Sequence, residues 1–421
     1  MRVALMTNNY KPIIGGVPIS IERLAAGLVR MGHEVTIFAP SYAKSEETEQ
    51  QDVELTNSAE SGICEEQVFR YATALKHFIG GIVLPNPFDI NIEREFRKKS
   101  YDIIHVHHPM LIGRTAVYLS GKYKIPLVFT YHTRYEQYVK YYTHGIGRVD
   151  KIMPLYLRTF LRHCDFVFAP TGGMQQYLTE KCRVSPEKTG VLPTGIDEKT
   201  FTATPEQGDE VRAFYQAERM PLLLTVSRMA QEKNVAFLLE SLAKVKSLYG
   251  KPFRMLMIGE GPDKNMLKMR SEELGLEDTV IFTGTVPNER IAPYYKAADG
   301  FLFASRTETQ GIVVLEAFAG GTPVIAVKAT GVEDVVDDGI NGFLTGEDTD
   351  EYAGKVTEFL NLLQGEDTGC MSCEKLSANA FQKSSLYREE AVARKAVRYY
   401  NDVIAQKAIQ KKRDIRLLPA G

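Results

Sequence analysis

A chain of 421 residues, 44% hydrophobic and 25% charged, has the make-up of a soluble globular protein and suits two domains of about 200 residues each. Its formal net charge of −2 offers no basic field for nucleic acid, and no stretch nears the roughly 20 apolar residues that span a bilayer. The charge is uneven, however: residues 1–195 hold 23 basic against 19 acidic side chains and the remainder 28 against 34, so the basic surface belongs to the first half.

Taken in chain order, short β-rich runs alternate with helical patterns. The first half predicts strands at 2–7, 34–39, 67–72, 102–107, 126–131, 166–170 and 189–193, with amphipathic helices over 20–31, 109–122 and 172–181. A polar, proline-containing segment, 197–219, reads as the joint between domains. The alternation then restarts, with strands at 222–227, 254–259, 280–284, 301–305, 323–327 and 342–345. Helices over 235–249, 263–274, 289–298, 311–318 and 350–363 lie among them. Unbroken apolar strands with helical crossovers mean parallel sheets covered on both faces. The predicted fold class is therefore α/β: two doubly wound, Rossmann-like domains, with the ligand outside the carboxyl ends of the strands, in the cleft that the domains share. The terminal stretch 387–404 is helical by period, without a placement from pattern alone. Five scattered cysteines (Cys64, Cys164, Cys182, Cys370, Cys373) and an apolar run after Met1 too short for a leader point to a reducing cytoplasm.

The stretch "SRTETQGIVVLEAFAGGTPVIA" (305–326) puts Glu308 and Glu316 at the two ends of an apolar run that opens on Gly311. If a helix begins there, the amides of Gly311, Ile312 and Val313 are first-turn donors, suited to phosphate. Glu308 lies in the loop before them and Glu316 in the second turn, its side chain tilted back toward the N-terminus. A carboxylate repels phosphate but accepts two hydrogen bonds from a vicinal diol. A nucleotide sugar, with a diphosphate between a ribose diol and a hexose, fits that bracket. Arg228 and Lys233 in "SRMAQEK" follow the strand at 222–227 and suit a departing diphosphate. Gly15-Gly16, after the first strand, permits close approach of backbone to phosphate. Each of these also has a plainer reading: the cations as surface charge, the glycines as a turn.

Together, "ETQGIVVLE", "SRMAQEK", "GGV" and "GTPVIA" resemble the retaining family 4 glycosyltransferases of the GT-B fold, over nearly the whole chain and in the family's order. "YHTRYEQYVKYY" (131–142) with "ETQG" is similar to the bacterial diacylglycerol glucosyltransferases. The resemblance implies domains at 1–195 plus 387–421, the last helix returning to the first domain, and at 196–386. It implies Arg228 and Lys233 on the diphosphate, Glu308 on the donor hexose, Glu316 on the ribose, and Val286 by the base. Gly15, Gly16 and the 311–313 turn would lie by the phosphates and His132 at the reacting centre. No metal or other cofactor is expected: no DxD-type metal motif is evident, and "DVVDDG" (334–339) reads as helix and turn. The expected partners are a nucleotide sugar, with UDP-glucose as the default, a lipid or glycan acceptor, and an anionic membrane surface, but no nucleic acid. The expected place is the cytoplasm, peripherally on the inner face of the cell membrane.

Three histidines, His105, His107 and His108, sit near a strand end. Their density suggests metal, but strand alternation separates them and no carboxylate accompanies them; His107 or His108 would instead line an acceptor site. Segment 134–163 mixes Arg134, Lys140, Arg148, Lys151, Arg158 and Arg162 with tyrosines and Phe160. That composition suits an anionic lipid surface, through Lys140, Arg148, Lys151 and Arg158 above all, or an ordinary helix with a solvated basic face. The rival functions are transfer to a soluble sugar or polysaccharide, and a non-catalytic nucleotide-sugar-binding protein. A dinucleotide oxidoreductase is disfavoured because neither half has the glycine fingerprint.

Overall fold

The computed structural model describes all residues except 14, 43–64, 76–83, 136–148, 367, 368, 370 and 417–421. The chain divides into two compact units, Met1–Gly195 with Glu389–Gly421 and Ile196–Arg388.

In unit 1, strands β1 (Arg2–Met6), β2 (Glu34–Pro40) and β3 (Val68–Tyr71) precede a small antiparallel pair, β4 (Thr73–Leu75) and β5 (Leu84–Pro85). Strands β6 (Ile103–Val106), β7 (Leu127–Thr130), β8 (Phe166–Ala169) and β9 (Thr189–Val191) follow, with helices α1 (Gly16–Arg30), α2 (Ile90–Phe96), α3 (Ile112–Tyr123), α4 (Val149–Leu161) and α5 (Gly172–Glu180) between them. The main sheet is parallel, in the order β3-β2-β1-β6-β7-β8-β9. Every residue of β6, β7 and β8 is buried, as a sheet covered on both faces requires.

Unit 2 opens with α6 (Glu198–Thr202) and α7 (Pro205–Phe214). Its strands β10 (Leu222–Val226), β11 (Arg254–Ile258), β12 (Val280–Gly284), β13 (Gly300–Phe303), β14 (Val324–Val327) and β15 (Gly342–Thr345) form a parallel sheet in the order β12-β11-β10-β13-β14-β15. Helices α8 (Val235–Tyr249), α9 (Lys264–Glu273), α10 (Ala292–Ala297), α11 (Ile312–Ala319), α12 (Thr349–Leu363) and α13 (Cys373–Ser385) accompany it. The last helix, α14 (Glu389–Arg416), belongs to unit 1, where Val392, Ala396, Tyr400 and Val403 join Ile21, Leu24 and Leu28 of α1 against one face of the sheet. Each such side chain, fully buried, contributes about 1.5–3 kcal/mol if it is Val, Leu or Ile. The two helices approach closely enough that a Cβ at Gly27 would stand 2.7 Å from that of Ala393.

Three departures from the sequence expectation concern helices. The segment 197–219 contains α7, closed by a capping box in which the Thr204 hydroxyl accepts from the Gln207 amide and the Gln207 side chain accepts from the Thr204 amide. Helix α1 starts at Gly16 rather than near residue 20, since Pro18 is tolerated in a first turn, where its missing N–H has no helical partner to lose. The "DVVDDG" stretch is turns and no helix. There Asp337 pairs with Lys383, and an Asp338 carboxylate oxygen accepts from the Leu344 amide.

Candidate functional site

In a doubly wound sheet the crevice lies where the strand order reverses, outside the carboxyl ends of the two strands that flank the reversal. In unit 2 these are β10 and β13. The loop leaving β10 carries Arg228, which is exposed, and Lys233, at the end of a 3-10 turn over Gln231–Lys233. The loop leaving β13 carries Glu308. The two loops are tied together: the Ser305 hydroxyl and the Arg306 amide both donate to the Glu232 carbonyl, at 3.4 and 3.2 Å. Lys233 Nζ then donates to Glu308 Oε1 at 2.5 Å, with both side chains mostly covered. Burial alone would push the Glu308 carboxyl up. The Lys233 ammonium and hydrogen bonds from Lys233 and Ser305 outweigh it and hold the group below the usual carboxylate range.

Gly311 caps α11 from the left-handed region, at φ 71° and ψ 59°, where a Cβ is disfavoured. Ile312 and Val313 form the first turn, and no side chain caps it. Glu316, in the second turn, is 7% exposed and accepts a hydrogen bond from the Tyr295 hydroxyl at 2.8 Å. Val286 is partly buried in the loop after β12, packed against the same core. Tyr295, 21 residues upstream of the glutamate it holds, had no signal in the sequence.

In unit 1 the order reverses between β1 and β6. The loop after β1 leads to Gly15, the N-cap of α1 in extended conformation, and to Gly16, its exposed first residue. The loop after β6 carries His107 and His108, and His132 follows β7. His105 and His107, two residues apart, share one face of the strand and stack with ring centroids 4.3 Å apart, contrary to the expected separation. His107 Nδ1 and His132 Nε2 share a hydrogen bond of 2.8 Å. His105 is held on both nitrogens, by the Tyr400 hydroxyl of α14 and by Thr130 Oγ1, each at 2.6 Å. His108 Nδ1 lies 3.2 Å from Thr7 Oγ1 and accepts from the Asn8 amide.

All four imidazoles are kept neutral. Burial lowers His105 to about 3 and His108 to about 4. Desolvation first, and neighbouring imidazoles second, push His107 and His132 well below the ordinary histidine value. His132 keeps part of its surface open to solvent. It thus presents a neutral ring and not a fixed cation.

The structure describes only part of the basic-aromatic segment. Lys140 and Arg148 lie outside the described residues, as does the side chain of Lys151 in α4. Arg158 is not a free surface cation: its Nη2 donates to the Lys181 carbonyl at 2.9 Å. The described aromatic groups, Tyr135, Tyr156 and Phe160, turn inward, and Phe160 does so because the apolar face of α4 covers the sheet. Phe160 is 3% exposed and packs edge-on to Phe129, Tyr135 is 8% exposed, and the Tyr156 hydroxyl donates to the Pro109 carbonyl. Leu155 of α4 remains exposed.

The model of the "Glycosyltransferase Family 4" matches residues 14–200 and that of the "Glycosyl transferases group 1" matches residues 208–382. The α-monoglucosyldiacylglycerol synthase of Streptococcus pneumoniae is 30% identical over 415 residues, 98% of this chain and 88% of that protein. The α-monoglucosyldiacylglycerol synthase of Acholeplasma laidlawii is 26% identical, over 96% of this chain and 98% of its own. Among solved structures, Anabaena Alr3699/HepE in complex with UDP-glucose shares the fold, with a TM-score of 0.69, 20% identity, and coverage of 96% of this chain and 100% of that one. With two parallel α/β sheets, charged loops at one reversal of strand order, and matches that run through both units, the chain belongs to the group 1 and family 4 glycosyltransferases.

Proposed function

We propose that this glycosyltransferase transfers glucose from UDP-glucose to a lipid hydroxyl such as that of diacylglycerol, with retention, giving an α-glycoside. The observation that carries the reading is the Lys233–Glu308 contact at the strand-order reversal of unit 2, three residues before the left-handed turn at Gly311. Lys233 has three N–H donors and directs one to Glu308, so the others are available to diphosphate oxygens. Glu308, kept ionised, is an acceptor for hexose hydroxyls. In this reading Arg228 and Lys233 stabilise the departing diphosphate, the amides of the 311–313 turn and of Gly15 and Gly16 approach the phosphates, and Glu316 takes the ribose diol. Val286 borders the base, and His132 hydrogen-bonds at the reacting centre. No metal is required, because the cations are supplied by side chains. The near-full-length similarity to two α-monoglucosyldiacylglycerol synthases, and the UDP-glucose held by a protein of the same fold, support the donor and the acceptor.

A lipid acceptor requires the protein to work at a membrane surface, peripherally on the inner face of the cell membrane. No helix among the described residues is long and apolar enough to cross one. Unit 1 leaves Phe88, Ile90 and Leu155 exposed at 87%, 73% and 67%. The test is incubation with UDP-glucose and diacylglycerol in anionic vesicles. An α-glucosyl lipid and UDP should form in EDTA, and Lys140, Arg148 and Lys151 together replaced by Ser should release the protein from the vesicles. Arg158 is left out of that set, since it holds the Lys181 carbonyl. The inward-turned Tyr135 and Phe160 favour a second reading, transfer to a soluble sugar or polysaccharide. Turnover of such an acceptor without lipid, or of GDP-mannose in preference to UDP-glucose, overturns the first.

A further inference from the structure

His107 is 1% exposed, and its Nε2 has no hydrogen-bond partner among the described residues. That is a costly arrangement for a buried polar atom if left unmet. The same side chain borders a small cavity with Leu24, Leu192, Val392 and the hydroxyl-bearing Ser20, Thr130 and Thr194. The cavity has room for a water molecule. Ser20 Oγ accepts from Thr194 Oγ1 at 3.0 Å and still has its own proton to give. Thr130 Oγ1 is already engaged with His105. The cavity is therefore polar enough for a water with two or more partners. On its other side, His107 Nδ1 holds His132 Nε2, and the two rings stack at 5.1 Å with 21° between their planes.

We propose that His107 is a positioning residue for His132, and that a single ordered water in the cavity supplies the hydrogen bond that His107 Nε2 requires. This rests on the reading of His132 as a group at the reacting centre. A histidine bonded through one nitrogen can still pivot, whereas bonds on both nitrogens hold the ring plane, as the two-sided hold on His105 illustrates. With both ends satisfied, His107 is a rigid strut, and it fixes the plane of the ring next to it.

Three variants test this, with UDP-glucose as donor and diacylglycerol vesicles as acceptor. His107→Leu should lower kcat on the order of 10- to 100-fold, the penalty for a reacting group displaced by about an ångström, while KM for UDP-glucose and the Kd of UDP stay within about twofold. His107→Asn places an amide where Nδ1 stood and should recover most of the loss. His132→Ala sets the floor. In ¹⁵N spectra of the histidine side chains, His107 should show one neutral tautomer. Ser20→Ala with Thr194→Val should shift its Nε2 resonance, and His107→Leu should move the ring nitrogens of His132. Wild-type kcat in His107→Leu, with His132→Ala inactive, overturns the positioning role alone. An Asn variant as poor as the Leu variant, with the His132 nitrogens unmoved, reduces His107 to packing. An Nε2 resonance indifferent to Ser20 and Thr194, or a high-resolution crystal structure with a dry cavity, removes the water. If His132→Ala keeps wild-type kcat, the reading of His132 itself falls and takes the proposal with it.

Discussion

The two units share a strand order around their reversal points, yet they hold opposite electrostatics there. At the β10/β13 reversal the groups are charged: Arg228 is exposed, and Lys233 and Glu308 form a covered ion pair. At the β1/β6 reversal the groups are imidazoles, all driven toward the neutral form by burial. The same scaffold thus offers fixed charge on one sheet and neutral hydrogen-bonding rings on the other. The difference is made by loop residues, not by the sheet. Fixed charge suits a diphosphate that gains charge as it departs, whereas a neutral ring can orient a hydroxyl without repelling or trapping ions.

The largest effect that separates the two regions is expected from Lys233→Ala. If the ammonium stabilises departing charge more than bound substrate, kcat falls on the order of 100- to 1,000-fold with little change in KM, as steady-state kinetics on UDP-glucose would show. The change also strands Glu308 without its ion pair, so its carboxyl moves up. A variant with wild-type kcat and only a raised KM would confine Lys233 to binding and erase the contrast drawn above.

A somewhat smaller effect divides the two glutamates. Glu316→Gln weakens a charge-assisted contact worth roughly 1.5–3 kcal/mol, so the Kd of free UDP rises on the order of 10- to 100-fold. Glu308→Gln leaves UDP binding alone and lowers turnover of UDP-glucose. Calorimetric titration of both variants with UDP decides it, and equal affinity in wild type and Glu316→Gln would sink this division. The Tyr295 hydroxyl sharpens the comparison: Tyr295→Phe removes its hydrogen bond to Glu316 and should weaken UDP binding by a lesser factor than Glu316→Gln.

The smallest effect is on stability in acid, and it should appear in the two units at different pH. His105 and His107 bind fewer protons folded than unfolded, so unit 1 has their full support above the unfolded value near 6.5 and loses it as pH falls below that. The slope is roughly 1.4 kcal/mol per pH unit for each imidazole once its unfolded form is protonated. Glu308 is a depressed carboxyl, so its support is complete above about 4.5 and is lost only below that. Hydrogen-exchange protection of β6 and β7 amides, corrected for the intrinsic pH dependence of exchange, should therefore fall from about pH 6, while that of β10 and β13 holds until near pH 4. A single common midpoint would show that the imidazoles carry no such linkage.

The sequence by itself determined the strands and the bracket at 305–326. Parallel strands buried on both faces are written as unbroken apolar runs, and β13 and β14 fall where those runs lie. Glu308, Gly311 and Glu316 belong to one loop and one helix, so their relation follows from local geometry. Polar helices were harder to see. Most of α7 is exposed, which weakens the apolar period, although Thr204 and Gln207 already spelled its cap. Only the tertiary structure decided the rest. Lys233 meets Glu308 across 75 residues, His107 meets His132 across 25, and Tyr400 reaches His105 across 295. Pattern in the chain reports which face of an element is buried, and not which buried faces meet. That second choice is made by the order of strands in the sheet and by where the last helix packs, and both place side chains together that no local spacing relates.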